Sequence, residues 1–385
     1  MSNFYLENSA RRQRGQRDEQ ARPTITIKVG NADYVVAVVV TLLVIIGVIM
    51  VFSASYYNAT TRLGQDATYF LKKQASIAAL GFVGMYFLAK FPYKLLKLLA
   101  APLYAAGCAL MLLVQFIGVE VNGAKRWFKV PIIGQFQPSE VMKIGLILLA
   151  ALVASRRPLK TWGEHIKFGF LVLVPVALIG VGNMSTAIVA ALIGFGIMFI
   201  ASPYILRFVV AGVLGASGAA LILVSGWRNE RVLAWLHPED YATGKGWQVL
   251  QSLYAIGTGG FFGLGLGQSR QKMGFVPEAH NDIIFSIICE ELGFMGAALL
   301  LLLFIILIWR GLKIAMNAVD LFASLVASGI VIMIGSQVVF NIAVVTNTMP
   351  NTGVPLPFIS YGGTSLAVTM LSVGILLNIS RFSRE

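Results

Sequence analysis

Ten apolar runs separated by polar intervals constrain this chain more than any other feature: about 34–54, 75–91, 95–118, 139–155, 168–182, 184–202, 204–226, 283–308, 320–345 and 363–380. A helix rises about 1.5 Å per residue, so about 20 apolar residues cross a hydrocarbon core of about 30 Å. Several runs fall short of that length, which leaves their boundaries soft. With 57% hydrophobic and 12% charged residues, the 385-residue chain does not belong to the soluble globular class. The expected fold is an all-α polytopic membrane protein with about ten transmembrane helices. Residues 31–385 form its single membrane domain, and residues 1–30, polar and rich in Arg and Gln, read as a disordered tail. The first run exceeds the roughly 7–15 apolar residues of a signal-peptide core, so it reads as a retained helix.

Basic residues set the orientation. With both ends cytoplasmic, 18 of the 30 Lys and Arg residues flank the inner side, while 11 are spread over much longer outer loops. That density favours an N-in, C-in topology with one large extracytoplasmic loop at about 227–282. The formal charge of +13 then reflects attraction to anionic lipid at the cytoplasmic face. Nucleic-acid binding would require a folded basic module with exposed aromatics, and the sequence has none. Cys108 and Cys289 both fall inside apolar runs and imply no disulfide framework.

Polar residues concentrate at the outer ends of the runs. Residues 120–140 gather Lys125, Arg126 and Lys129 around Trp127 and Phe128, with Asn122-Gly123 as a turn signal. Aromatics beside cations are ordinary interfacial anchors; the same groups could hold a lipid-linked diphosphate. Ser139 reads as an N-cap with Glu140 in the first turn, and Lys143, one turn on, shares the Glu140 face as a structural pair or an orienting one. At the interruption 182–186, Asn183, Ser185 and Thr186 suit helix capping. In 247–266, Trp247, Leu250 and Tyr254 share one helical face against Gln248, Gln251 and Ser252, as in an interfacial or re-entrant segment. The glycines at 263, 265 and 267 lack the βαβ setting of a nucleotide loop.

Arg270, Lys272, Glu278, His280, Asn281 and Asp282 then crowd one membrane edge. Asp282 immediately precedes an apolar run, where an ordinary N-cap would account for it; the charged groups around it and the long loop that delivers them are the case for an active site, and the residues alone leave both readings open. Glu290 and Glu291, deeper in that run, are functional candidates because buried carboxylates are costly. The loop 346–365, stiffened by Pro350, Pro355 and Pro357, offers Ser360 and amides as a wall, a lid or a plain connector.

Five stretches, in order, resemble the SEDS family of shape, elongation, division and sporulation proteins: Lys125-Arg126-Trp127-Phe128; Gln137-Pro138-Ser139-Glu140 with Lys143; Pro277-Glu278-Ala279-His280-Asn281-Asp282; Glu290-Glu291-Leu292-Gly293; and Pro357 to Ser365. The similarity runs from about 34 to 381 and lies closer to the division and sporulation branch. It implies ten transmembrane helices and a peptidoglycan glycosyltransferase that polymerises lipid II at the outer face of the cytoplasmic membrane. It also implies a class B penicillin-binding protein as transpeptidase partner, among other divisome or elongasome membrane proteins. Asp282 matches the family's essential Asp and would be the general base. Lys125, Arg126, Trp127, Arg270, Lys272, Glu278, His280 and Ser360 would bind substrate, and Glu140 and Lys143 would orient the site. A divalent ion, magnesium or manganese, is expected to share the diphosphate charge, although no ligand set is readable. Asn281 stands where the family usually has Thr, and residues 182–186 lack the Asp many members carry there. A lipid II flippase would also suit Lys143, Glu290 and Glu291, and a non-catalytic transpeptidase scaffold remains a third reading.

Overall fold

A computed structural model describes residues 28–121, 124–130, 134–157, 159–210, 212–213, 215, 229–242, 244, 246–276 and 278–383. Its helices are α1 (Tyr34–Tyr57), α2 (Tyr69–Lys90), α3 (Tyr93–Ile117), α4 (Pro138–Arg156), α5 (Trp162–Gly182), α6 (Met184–Ala201), α7 (Asn229–Leu236), α8 (Trp247–Gly259), α9 (Ile284–Met316), α10 (Leu321–Val345) and α11 (Gly363–Ser380). Among the described residues, eight helices are long and apolar enough to cross a membrane: α1, α3, α4, α5, α6, α9, α10 and α11. Helix α2 has 22 residues but carries Lys72 and Lys73 near its start and Lys90 at its end. The run expected at 204–226 begins as helix at 205 and lies mostly outside the described residues from 211.

Strands interrupt the expected all-α architecture at two places. Val119–Val121 (β2), Ala124–Val130 (β3) and Gly134–Phe136 (β4) form an antiparallel sheet where a loop was expected. The turn signal Asn122-Gly123 lies outside the described residues, between the paired Val121 and Ala124. The tail expected over 1–30 is outside them up to residue 27. Beyond it, Lys28–Val29 (β1) pairs with Phe382–Ser383 (β5), joining the two ends of the membrane domain.

Small corrections follow at helix ends. Helix α4 starts at Pro138, so Gln137 is the N-cap and Ser139 lies inside the first turn, its buried hydroxyl without a partner among the described residues. Pro is well suited to that first position because its missing N–H would have been an orphan. Asn183 caps α6 as expected, accepting from Ser185 and Thr186 N–H at 3.1 and 3.2 Å.

The frame of the bundle is the break in α9 at Gly293, whose φ of 65° and ψ of −166° are non-helical. A continuous helix would pair the carbonyls of Glu290 and Glu291 with the N–H groups of Phe294 and Met295. Here those carbonyls accept from Leu264 (2.9 Å) and Gly265 (3.0 Å), while Phe294 and Met295 donate to Gly260 (2.9 Å) and Phe261 (3.1 Å). The segment after α8 replaces the lost ladder bond for bond, as backbone within a membrane requires. This supports the re-entrant reading of 247–266 and orients it: Leu250, Gln251 and Ser252 are buried, whereas Trp247, Tyr254, Phe261 and Phe262 are exposed. Its polar face points into the protein and its aromatic face outward.

The loop 346–362 is a wall rather than a lid. Leu356, Phe358, Ile359 and Ser360 are buried. At the closest approach, a Cβ on Gly47 would stand 2.2 Å from the Phe358 carbonyl oxygen, ten residues and roughly 15 Å inside the end of α1.

At Gly293 a Cβ would fall 2.3 Å from the Gly263 nitrogen and would also require a left-handed backbone. Gly293→Ala is therefore expected to cost about 3 kcal/mol or more in thermal unfolding of the detergent-purified protein. In contrast, Gly257→Ala, within α8 and facing open space, is expected to be neutral or slightly stabilising.

Candidate functional site

The glycine-rich segment 263–276 is held by two adjacent carboxylates on α9. Glu290 accepts from Ser269 Oγ, from Arg270 N at 2.8 Å and from Gln271 N at 3.4 Å. Glu291 accepts from Gly267 N (3.0 Å), Ser269 N (3.4 Å) and Ser53 Oγ (2.7 Å), and pairs with Lys272 Nζ at 2.6 Å. Both carboxylates are buried, so their cost in an apolar span is offset by dense hydrogen bonding rather than by access to a polar path. This arrangement changes the role expected of Lys272. Its ammonium is buried and engaged by Glu291 and Ser53, so it holds α1, α9 and the loop together instead of facing a leaving diphosphate.

Arg270, two residues earlier, has an exposed side chain. Loop geometry thus separates two cations that the sequence places side by side: one inward, one free to meet an anion.

Asp282 sits where this loop enters α9, yet it does not cap the helix. The N-cap position falls to Ile283, and no side chain caps α9. The Asp282 carboxylate is met by its own backbone N–H, while Glu278 adds like charge. Burial, assisted by Glu278, raises the Asp282 pKa from its ordinary 3.8 to about 6. The residue as a whole is half-buried. It faces Gly353, where a Cβ would stand 3.5 Å from Oδ2. Its backbone is fixed from α10, since Asn341 Nδ2 donates to the carbonyls of Asp282 (2.6 Å) and Val354 (2.8 Å).

The other motif residues divide between this lip and its supports. Glu278 is exposed, adopts a φ of 51°, and accepts from Asn281 Nδ2 at 2.6 Å. His280 is buried against the rings of Phe70 and Tyr361, with centroids 4.4 and 5.4 Å away, and Tyr361 N donates to its carbonyl at 2.8 Å. Burial lowers its pKa to about 4, so it is neutral near pH 7 and forms an aromatic wall rather than a cationic contact. The Ser360 hydroxyl accepts from Leu356 N at 2.8 Å, and its carbonyl accepts from Gln74 Nε2 at 3.3 Å. Its side chain is thereby used to shape the turn.

The sheet carrying Lys125, Arg126 and Trp127 reaches the same region through Thr364, which accepts from Gln137 N (3.2 Å) and donates to the carbonyl of Gln135 (3.0 Å). Arg126 Nε donates to the Gly182 carbonyl, tying the hairpin to the α5–α6 break. Lys125 makes one long contact, 3.5 Å, to the Phe116 carbonyl, and Trp127 is half-buried opposite Val119. Glu140 and Lys143 form the expected buried pair at 2.9 Å; the ammonium lies off the hydrogen-bond line and reaches no other acceptor among the described residues.

Phe70, Gln74, Asn341, Gly353 and Tyr361 complete the lip and were not singled out in the sequence. Asn341 carried a usable signal, since an amide within an apolar span must find partners. Tyr361 lay within the family-like stretch Pro357 to Ser365, while Phe70, Gln74 and Gly353 carried no signal: their placement depends on loops folding back onto α2 and α10.

Residues 33–385 match the family model for the FtsW, RodA and SpoVE cell cycle proteins. The sequence is 39% identical over 374 residues to stage V sporulation protein E of Bacillus subtilis (strain 168), covering 94% of this chain and all of that one. It is 38% identical over 362 residues to the probable peptidoglycan glycosyltransferase FtsW of Trichlorobacter lovleyi, covering 92% and 94% of the two chains. A solved chain from work on the structural coordination of polymerization and crosslinking by a peptidoglycan synthase complex matches with a TM-score of 0.75 and 31% identity, covering 91% of this chain and 98% of that one. Crystalline rod shape determining protein RodA of Thermus thermophilus matches with a TM-score of 0.69 and 28% identity, at 91% and 97% coverage.

Two stability measurements test the geometry. Because the folded-state pKa of Asp282 is raised, its charged form opposes folding: the cost is absent below about pH 4, grows as pH rises, and is complete above about pH 6. Asp282→Asn should therefore stabilise the protein at pH 7.5, by about 1–2 kcal/mol after allowance for solvent contact, and not at pH 4. Lys272→Met should cost about 3–5 kcal/mol by leaving Glu291 uncompensated, whereas Arg270→Gln should stay within about 0.5 kcal/mol.

Proposed function

The chain belongs to the FtsW, RodA and SpoVE family, and on that premise we propose that it is a peptidoglycan glycosyltransferase of the bacterial inner membrane, polymerising lipid II at the outer face during division or sporulation. The observation that carries the reading is the Asp282 carboxylate: unused as a cap, partly desolvated, and raised to a pKa of about 6. A general base is most effective when its pKa lies near the working pH, and this one is deprotonated yet still basic at neutrality.

The proposed step is an in-line displacement with inversion. The 4-hydroxyl oxygen of a lipid-linked acceptor sugar attacks the anomeric carbon of the donor. Its proton passes to Asp282 Oδ, and the bond to the donor's diphosphate breaks, with the electron pair leaving on the diphosphate oxygen. Arg270, exposed on the neighbouring loop, is the proposed stabiliser of that charge. Lys125 and Arg126 are proposed to meet a lipid-linked diphosphate from the hairpin side, with Trp127 as an interfacial anchor. His280 and Ser360 shape the pocket wall, and Lys272, Glu140 and Lys143 act as supports.

Among the described residues, no three His, Cys, Asp or Glu side chains converge as a metal site. The two carboxylates at the lip, Asp282 and Glu278, suit a magnesium-type ion only where substrate oxygens complete its coordination, the usual habit of that hard cation. Such an ion would supply charge neutralisation on the diphosphate.

The peptidoglycan synthase complex among the structural neighbours supports a transpeptidase partner, proposed here to be a class B penicillin-binding protein, with other divisome or elongasome membrane proteins around it. A flippase is less well supported, since Glu290 and Glu291 are used to hold the loop rather than to line a path across the membrane.

Glycan polymerisation from purified lipid II, by the chain with its cognate transpeptidase, tests the proposal. Asp282→Asn is expected to lower the rate by about 10²–10⁴-fold while complex assembly is retained. Full activity in that variant removes Asp282 as the base, and an assembled wild-type complex that makes no glycan overturns the enzymatic reading.

A further inference from the structure

At the opposite end of α9, roughly 50 Å along the helix from Asp282, lies a polar cavity of about 310 Å³ that the outer site does not use. Asn31 and Asp33 line it from the segment before α1, Arg310, Lys313 and Asn317 from the end of α9, and Ser380 from the end of α11. Its walls are tied together. Asp33 N donates to Ser380 Oγ at 3.0 Å, and Gly30 N donates to the Arg381 carbonyl at 2.9 Å, extending the β1–β5 pairing beside the cavity.

The charges in these walls are unequal. The Asp33 carboxylate accepts from Val35 N (3.0 Å) and Val36 N (3.2 Å), capping α1, and pairs with Arg310 at 2.7 Å. That carboxylate is therefore committed to structure, and the Arg310 guanidinium is fixed in the wall with its charge offset. Lys313, one turn further along α9, is exposed and has no acidic partner among the described residues. The cavity retains one uncompensated positive charge, with the amides of Asn31 and Asn317 as further donors. A monoanion rich in hydrogen-bond acceptors is its chemical complement.

The surroundings indicate what carries that anion. Tyr34, in the cavity wall, is 76% exposed, Trp309 and Met316, on the same end of α9 as Arg310 and Asn317, are 60% and 75% exposed, and the apolar exposure continues along α1 at Val38 and Leu42 and along α9 at Ile305 and Leu302. Apolar surface of this kind on spanning helices meets acyl chains, and aromatics at such a position sit at headgroup level. The volume fits a headgroup rather than a whole lipid. On the N-in topology the cavity opens to the cytoplasmic leaflet, where anionic lipids are enriched.

We propose that this cavity seats the phosphate headgroup of an anionic glycerophospholipid, held by Lys313 and Asn317 against the fixed Asp33–Arg310 pair, with its acyl chains along the exposed faces of α1 and α9. A lysine in a last helical turn also complements the helix dipole; that role alone selects no lipid. The site is independent of the chemistry at Asp282, and it places a lipid contact where both ends of the membrane domain meet.

The test is native mass spectrometry of the full-length protein from mixed micelles holding equal phosphatidylglycerol and phosphatidylcholine. One phosphatidylglycerol per chain is expected to be retained in preference to phosphatidylcholine. Retention should fall about fivefold in Lys313→Gln, the worth of one cation near an anionic surface, and persist in Lys313→Arg. Neither substitution touches the Asp33–Arg310 pair, and unliganded thermal unfolding checks that both variants fold. Asn317→Leu, on the same helix end, should weaken retention as well. Equal retention of the two lipids overturns the proposal, as does retention unchanged in both Lys313→Gln and Asn317→Leu. Loss of the lipid to millimolar inorganic phosphate would reassign the cavity to a soluble anion and also overturn it.

Discussion

The structure depends on four hydrogen bonds that α9 does not make with itself. When a membrane helix breaks, its freed backbone groups cannot turn to water, and each left unpaired costs several kcal/mol. At Gly293 the re-entrant segment after α8 supplies all four partners, through Gly260, Phe261, Leu264 and Gly265. The close approach leaves no room for a Cβ at Gly293 or Gly263, which explains glycine at both positions. Once the backbones are joined, the side chains of Glu290 and Glu291 meet the next N–H groups of the same loop, and Lys272 offsets the added charge.

That local solution shapes the outer face. Two carboxylates and one cation are consumed in holding the loop, which leaves Arg270 exposed and delivers Asp282 to the lip one residue before the N-cap of α9. The backbone around Asp282 is fixed from two further directions, by Asn341 on α10 and by the buried loop 346–362, which reaches as deep as Gly47. The proposed base is thus held by its main chain, while among the described residues no side chain donates to its carboxylate. This division suits a group that must exchange a proton with substrate.

Much of this was legible in the sequence because a membrane span declares itself by length and hydropathy. The apolar runs place α1, α3 to α6 and α9 to α11, and the crowding of Glu278, His280 and Asp282 points to the lip. The rest depends on contacts that leave no local trace. Gly293 within an apolar run looks like a packing glycine, and only the partner backbone at 260–265 shows it to be a break. Lys272 and Arg270 are chemically alike and two residues apart, and which one turns inward is decided by Glu291 on another element. The two faces of helix α8 were legible, but not which of them is buried; with lipid outside, Gln251 and Ser252 turn inward and Trp247 and Tyr254 outward. The sheet at 119–136 was hidden because its strands are short and its cations resemble an interfacial anchor.

The most direct measurement for the role of Asp282 is the pH dependence of kcat/KM for glycan polymerisation by the wild-type chain with its transpeptidase, between pH 5 and 8. A general base with the Asp282 pKa gives a rate that rises with pH and levels off through an inflection near 6. A rate that is flat across that range, in a complex that stays folded and assembled, would contradict the assignment of Asp282 as the base.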